Sequence, residues 1–380
     1  MPWEEVTVMS LRIQFIHEAE LKETTFTALC KSYCISVKTG YKWLNRYHEQ
    51  GVDGLNDLSR KPHNSPHRIA SDIVEQILSL RHQYPRLGGR KIHFMLRRRG
   101  VTSVPAPSTI TDILRRNGLI DPVEAKKHKA FIRFEHELPN QLWQMDFKGH
   151  FALDEGRCHP LTVLDDHSRF CVGLLACPNE RGSIVQKQLT AVFRRYGIPQ
   201  RMTMDNGAPW GKDAVHRLTK FTVWLIRLGI KVSHSSPYHP QTQGKDERFH
   251  RSLKVELLNY RLIGNMEQAQ HEFDEWLDFY NFQRPHEALD MLVPNDRYKP
   301  SDKIFPESLP KIEYQESDSV RKVQANGEIH FRGHIFRISY ALHGYPVAVR
   351  QTDQDGIFDV FFCNERVKCI NLHETDTEIN

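Results

Sequence analysis

Cysteine is scarce in this chain: seven in 380 residues, Cys30, Cys34, Cys158, Cys171, Cys177, Cys363 and Cys369, with no CxxC pair among them. An odd number scattered so widely argues against a disulfide framework and reads as reduced, mostly buried thiols. Zinc is disfavoured too. Cys30, Cys34, His48 and His63 could be strung into a ligand set, but the two cysteines stand one helical turn apart in an apolar rhythm that they complete, and no second close ligand pair follows. Long apolar runs are also missing: nothing approaches the roughly 20 residues of a membrane span, and MPWEEVTVMS lacks the basic and apolar segments of a secretion signal. The chain is therefore expected in the cytoplasm, away from membranes.

What is present is ordinary for a globular protein, 39% hydrophobic and 26% charged. The net charge of +5 conceals an uneven distribution. From Arg81 to Glu135 thirteen Lys or Arg face four Asp or Glu, an excess of nine that suits a surface neutralising phosphates.

Turn-rich breaks and periodicity divide the chain into a multidomain protein, beginning with N-terminal all-α helix-turn-helix units over 1–60 and 61–120. In the first, SVKTGYKWLNRYHEQG has Ser36 as N-cap and Gly51 as stop. Val37, Tyr41 and Leu44 are expected to face inward, leaving Lys38, Thr39, Lys42, Asn45 and Arg46 for a DNA major groove. In the second, STITDILRRNG opens at Ser108 behind Pro107. It buries Ile110, Ile113 and Leu114 and leaves Thr109, Arg115, Arg116 and Asn117 for DNA. A basic linker over 121–139, with Lys126, Lys127, Lys129 and Arg133, suits a phosphate backbone.

The segment 140–300 alternates in the α/β manner. Strands are expected at 142–152, 158–164 and 170–176, a helix at 183–196, a strand at 200–204, a helix near 215–228, a strand at 230–234 and a long helix from about 243. The result is a mixed sheet with helices on its faces. A helix at 266–282 follows, with Phe273, Trp276, Leu277 and Tyr280 on its apolar side. From 311 to 380 short alternating strands predict a small β-barrel.

Three stretches of the central segment carry acids: Asp146 mid-strand in LWQMDFKGH, Asp205 at a strand end in MTMDNG, and Glu247 in the first turn of a helix in PYHPQTQGKDERFH. With LTVLDDHSRF and YNFQRPHEAL, these motifs resemble the integrase catalytic core of the ribonuclease-H-like superfamily, and specifically the DDE transposases of bacterial insertion sequences related to retroviral integrases. The resemblance implies that Asp146, Asp205 and Glu247 are catalytic and hold two Mg²⁺ (or Mn²⁺) ions, Asp146 bridging both, Asp205 holding one and Glu247 the other. Paired ions about 3.5–4 Å apart activate the nucleophile and stabilise the leaving oxygen of a phosphodiester, and hard oxygen ligands suit them. The implied activity is cleavage at the terminal inverted repeats of a mobile element and joining of the freed 3′-OH to target DNA. That requires double-stranded DNA as partner, a homo-oligomer (dimer or higher) on paired ends, and the bacterial nucleoid as location. The spacing from Asp205 to Glu247 is wider than the family's usual one, which puts the extra residues in 210–219.

On the Glu247 helix, His250, Arg251 and Lys254 share the acid's face, and Phe249, Leu253, Leu257 and Tyr260 mark the opposite stripe. The resemblance implies DNA contacts for Arg251 and Lys254; an ion pair from Glu247 to Arg251 is the plainer alternative. His234, His239 and His250 flank the acids without being required as bases. Asp165 and Asp166, ahead of Ser168 and Arg169, read as turn-stabilising, and Arg284 and His286 either touch DNA or fix their helix to the core. Two further functions fit the same pattern: a non-catalytic DNA-binding repressor derived from a transposase, and hydrolysis of RNA in hybrids.

Overall fold

The computed structural model describes residues 7–58, 69–120, 135–205, 207, 209–211, 218–234 and 244–373. The chain forms two compact units, Met1–Arg68 and Ile69–Asn380.

The first unit is three helices, α1 (Val8–Leu21), α2 (Phe26–Ser32) and α3 (Val37–Gln50), closed by a 3-10 turn at Gly51–Leu55. Each begins on a hydroxyl: Thr7, Thr25 and Ser36 accept the backbone N–H three residues on, satisfying a donor the helix leaves unpaired. Phe15, Ile16, Leu29, Cys30, Trp43 and Leu55 form the core. Gly40 lets α3 lie directly on α2, because a Cβ there would come within 2.5 Å of Cys30 Sγ. The inward face therefore runs through Gly40 and Trp43, with Leu44 half-buried. Val37 and Tyr41, expected inside, are exposed. Gly40 makes room for Cys30, Phe15 and Phe26, so the buried face of α3 is centred on Gly40 and Trp43 instead. Cys34 does not complete the apolar rhythm either; it is an exposed turn residue at φ 52.

The second unit starts with α4 (Ser71–Gln83), α5 (Gly89–Arg98) and α6 (Pro107–Arg116). Helix α6 opens at Pro107 itself, where a missing N–H costs nothing, one residue before the expected start. Ile110, Ile113 and Leu114 are buried as expected.

Next comes a mixed sheet of β1 (Trp143–Phe147), β2 (Phe151–Ala152), β3 (Arg157–Asp165), β4 (Cys171–Cys177), β5 (Arg201–Met204) and β6 (Lys231–His234). The path is β4-β3-β1-β5-β6, with β2 also on β3; β1, β3 and β4 pair antiparallel, and β5 and β6 run parallel to β1. The single strand expected over 142–152 is broken into β1 and β2, with Gly149 at φ 83 between them. Trp143, Met145, Leu161 and Val163 pack on the face covered by α7 (Gly182–Tyr196) and α8 (Lys220–Arg227). Because side chains alternate, Gln144, Asp146 and Thr162 point to the other face. There α9 (Gly244–Leu253) and α10 (Met266–Asp278) pack, and their apolar core is continuous with that of α4–α6. Each continues as a π-turn, Lys254–Leu258 and Phe279–Gln283.

The C-terminal strands are β7 (Ser319–Lys322), β8 (Glu328–Phe331), β9 (His334–Arg337), β10 (Pro346–Gln351), β11 (Ile357–Phe362) and β12 (Glu365–Asn371). They form a four-stranded antiparallel sheet, β12-β11-β10-β7, and a two-stranded ribbon, β8-β9. The expected barrel is thus corrected to open sheets: among the described residues no ladder joins the two, and their shared core is completed by Val223 and Ile226 of α8. Among the described residues no helix is long and apolar enough to cross a membrane.

Candidate active site

Strand register brings the first two acids together. β1 and β5 pair Trp143 with Met202 and Gln144 with Thr203; continued two residues, the parallel register sets Asp205 beside Asp146. On its other side Asp146 faces Thr162 of β3. Asp146 Oδ1 accepts the N–H of Phe147 at 2.8 Å, which leaves Oδ2 for the cleft. Burial, with the charges of Asp205 and Glu180 added, pushes the Asp146 carboxyl up to about 6 against the Phe147 N–H and Lys148. Asp205 is exposed, and its carbonyl meets His234 Nδ1 at 3.0 Å.

Helix α9, which carries Glu247, packs on this face of the sheet through His250. Its core stripe is Phe249, Leu253 and Leu257; Tyr260, expected on that stripe, is exposed. Glu247, Arg251 and Lys254 are exposed, and among the described residues no ion pair joins Glu247 to Arg251. His250 is turned inward rather than sharing an open face with them. Its Nε2 lies 2.8 Å from Thr162 Oγ1 and its Nδ1 4.0 Å from Asp146 Oδ2. Burial, helped by the charge of Lys148, lowers His250 to about 4, so the ring is neutral at physiological pH.

Two further acids matter here, Asp246, which the sequence reading passed over, and Asp166, which it read only as a turn residue. Asp246 is buried in the core-facing turn beside Glu247, its Oδ1 without a hydrogen-bond partner. Burial, with Asp146 and Asp166 adding to it, raises its carboxyl far above the ordinary range. Nothing short of packing could have shown this, since an acid next to an acid in a helix normally faces water. Asp165 is a turn residue as expected, its carboxylate accepting from Asn140 N, Ser168 N and Ser168 Oγ. Asp166 does more: buried, it accepts from His136 N and Nδ1, from Gln144 Nε2 and from Lys245 of α9. Burial pushes Asp166 up, but the charge and hydrogen bond of Lys245 and the bonds from His136 outweigh it, leaving the carboxyl low. Lys245 is itself pulled down by burial and by Arg169. The two shifts place opposite demands on the pair; the short contact and three further donors to Asp166 favour the ionised form.

The remaining expected residues are placed as follows. Lys38, Lys42 and Asn45 are exposed on α3 and Arg46 is half-buried; Lys42 and Arg46 lie over the Trp43 ring at 4.5 and 5.4 Å. Thr39 is half-buried and its hydroxyl meets Ser36 Oγ at 2.8 Å. On α6, Thr109 is half-buried, Arg115 is exposed and paired with Asp112, and Arg116 is exposed. Asn117 is tied back to the carbonyl of Ile113 at 2.8 Å. Lys126, Lys127, Lys129, Arg133 and His239 lie outside the described residues. Of the 210–219 stretch, Trp210 is buried and stacks on Phe147 with ring centroids 5.6 Å apart. Arg284 and His286 fix their helix: Arg284 is buried against Glu256 at 2.6 Å, and His286 is buried beside Tyr280.

Among the described residues no three Asp, Glu, His or Cys side chains are drawn tightly enough to grip an ion. The donor chemistry still fits a divalent cation, because Asp146 is short of positive charge: burial and neighbouring acids make its anion costly, and a cation would relieve that cost.

A mixed sheet of this order, with acids at adjacent strand ends and an acidic helix across them, is the architecture of the integrase core. Residues 136–240 and 228–294 match integrase core domain families, 12–63 a helix-turn-helix domain, 39–114 a homeodomain-like domain, and 318–378 the C-terminal domain of IS481 family transposases. A protein of insertion element IS407 from Burkholderia multivorans is 25% identical over 242 residues, covering 62% of this chain and 82% of that protein. The transposase of transposon Tn552 from Staphylococcus aureus is 24% identical over 364 residues, covering 84% of this chain and 73% of that one. A simian T-cell lymphotropic virus intasome chain superimposes with a TM-score of 0.38 at 17% identity, over 77% of this chain and 99% of that chain, too loosely to carry weight. The sequence matches support a DDE transposase of the integrase and ribonuclease-H-like superfamily, similar to those of insertion elements.

Proposed function

We propose that the protein binds the terminal inverted repeats of its element, cleaves the element's ends and joins the 3′-OH to target DNA, with Asp146, Asp205 and Glu247 as the catalytic carboxylates. The observation that carries this reading is the register placing Asp205 beside Asp146, on the face where α9 packs. Asp146, Asp205 and Glu247 would hold Mg²⁺ or Mn²⁺, two ions per site, which supply Lewis-acid activation of the attacking hydroxyl and stabilisation of the leaving oxygen. The chain's own part is to fix the carboxylates on rigid elements: two on neighbouring strands and one on a helix tethered by Lys245 to Asp166. Exposed Arg251 and Lys254 lie further along that helix, where they would meet phosphate. The exposed side chains of α3 and α6 would read the repeat, and Lys126, Lys127 and Lys129 would hold the phosphate backbone. Joining two ends to one target needs two such sites, hence a homo-oligomer, a dimer or larger.

The test is a nicking and strand-transfer assay on the element's terminal repeats with Mg²⁺ or Mn²⁺. Cleavage at the repeat ends that is lost in Asp146→Asn supports the reading. Tight repeat binding with no cleavage in any divalent metal would instead make the protein a repressor.

A further inference from the structure

His250 makes two contacts whose combination determines the state of its ring. Thr162 Oγ1 lies 2.9 Å from the carbonyl oxygen of Asp146 and 2.8 Å from His250 Nε2. A carbonyl oxygen can only accept, and the hydroxyl has one proton, so that proton goes to Asp146. Thr162 then has only lone pairs for the imidazole, and Nε2 must carry the hydrogen. In a neutral ring this leaves Nδ1 as a bare lone pair.

That lone pair faces Asp146 Oδ2 at 4.0 Å, too far for a hydrogen bond. No described residue donates to Nδ1. The side chain is only 12% exposed, so water has little access to satisfy it. An imidazole nitrogen and a carboxylate oxygen, each binding a small divalent cation at about 2.0–2.2 Å, can stand up to about 4 Å apart around one ion.

Building on the function proposed above, we infer that His250 Nδ1 is a nitrogen ligand of the cation held by Asp146, with Thr162 fixing the tautomer that makes it one. Metal-bound histidines commonly donate their second ring N–H to an acceptor that orients them, and Thr162 takes that part here. One imidazole among carboxylates shifts preference from Mg²⁺ toward Mn²⁺ and other transition ions. His250 thereby couples Glu247's helix to Asp146's strand through the ion as well as through Thr162.

Mn²⁺ bound to the full-length protein, without DNA, tests this by electron spin echo modulation. The wild type should show ¹⁴N modulation that changes to the ¹⁵N pattern when histidine is ¹⁵N-labelled. In His250→Gln the modulation should vanish while Mn²⁺ still binds, about tenfold or more weakly; His250→Asn serves if the glutamine variant does not fold. Thr162→Val keeps the ring but frees its tautomer, and should weaken Mn²⁺ binding by about tenfold. Mn²⁺ binding that depends on Asp146 yet shows no nitrogen modulation, or modulation that survives in both His250 variants, overturns this inference and leaves the proposed function standing. Absence of any Asp146-dependent Mn²⁺ binding overturns both.

Discussion

Lys245 reaches from the first turn of α9 to the buried carboxylate of Asp166 at the end of β3. The pair ties the helix of Glu247 to the sheet two residues before that acid, and the contact of His250 with Thr162 ties it again three residues after. The stretch of helix carrying Glu247 is thus held between two polar anchors, while the Glu247 side chain itself stays exposed.

Removing the lysine should show what the first anchor contributes. Lys245→Met strands Asp166, 1% exposed, without its cation, and should destabilise the fold by about 3–5 kcal/mol. Adding Asp166→Asn should recover much of that loss. Urea unfolding of the two variants decides between this and a surface-like pair, which would cost under about 1 kcal/mol.

The three carboxylates should fail in the same way when neutralised. Asp146→Asn, Asp205→Asn and Glu247→Gln should each reduce cleavage and strand transfer by about a thousandfold, on the order of 4 kcal/mol of transition-state stabilisation, while repeat binding survives. A Glu247→Gln protein that joins DNA at near wild-type rate would falsify its assignment.

Stability should depend on pH in an unusual direction. With its carboxyl raised to about 6, against about 3.9 in an unfolded chain, folded Asp146 keeps a proton between those values that the unfolded chain has lost. Its contribution is therefore full below about pH 4 and disappears as pH rises through about 6. Discounted for its partial exposure, the loss is about 1–2 kcal/mol. Chelator-treated Asp146→Asn should be more stable than wild type at pH 8 and no more stable at pH 4. Asp246, raised in the same direction, should make Asp246→Asn stabilising at pH 8 as well. Equal wild-type and variant melting at both pH values would contradict the burial argument.

Reading and holding of DNA should separate. Alanine at Lys42, Asn45 and Arg46 should weaken binding to the repeat selectively, by about 1–3 kcal/mol for a lost bidentate base contact. Alanine at Lys126, Lys127 and Lys129 should weaken binding to all DNA alike and reduce the slope of log K against log salt by about 0.9 per contact. Titrations against repeat and random duplexes at several salt concentrations distinguish the two. Loss of sequence preference in the linker variant alone would move the recognition surface away from α3.

Much of this was legible in the sequence because strands and caps are local. Alternation in WQMDF, the Ser36 cap and the Pro107 and Gly51 punctuation report on their own neighbourhoods. What stayed hidden depended on distant packing. Gly40 looks featureless until Cys30 lies under it, and so the inward face of α3 was placed on Val37 and Tyr41 instead of Trp43. The inward turn of His250 depends on Thr162, 88 residues earlier. The barrel failed to close because α8 completes the core of the C-terminal sheets, a partner no strand pattern could announce.

The continuous core from α4–α6 into α9–α10 is reinforced by the stacking of Tyr84 on Phe279 with ring centroids 3.8 Å apart and by Arg98 pairing with Asp296 at 2.7 Å. Helix α6 is consequently part of the same compact unit as Asp146, and in the proposed function it would be one end of a ruler. On the proposed function, the base pairs that α6 reads lie at a set distance and a set rotation around the duplex from the phosphate that is cut. Inserting about five base pairs between them, half a helical turn, would offer the wrong face of the DNA to the carboxylates, whereas inserting about ten would restore the face and leave only the distance wrong.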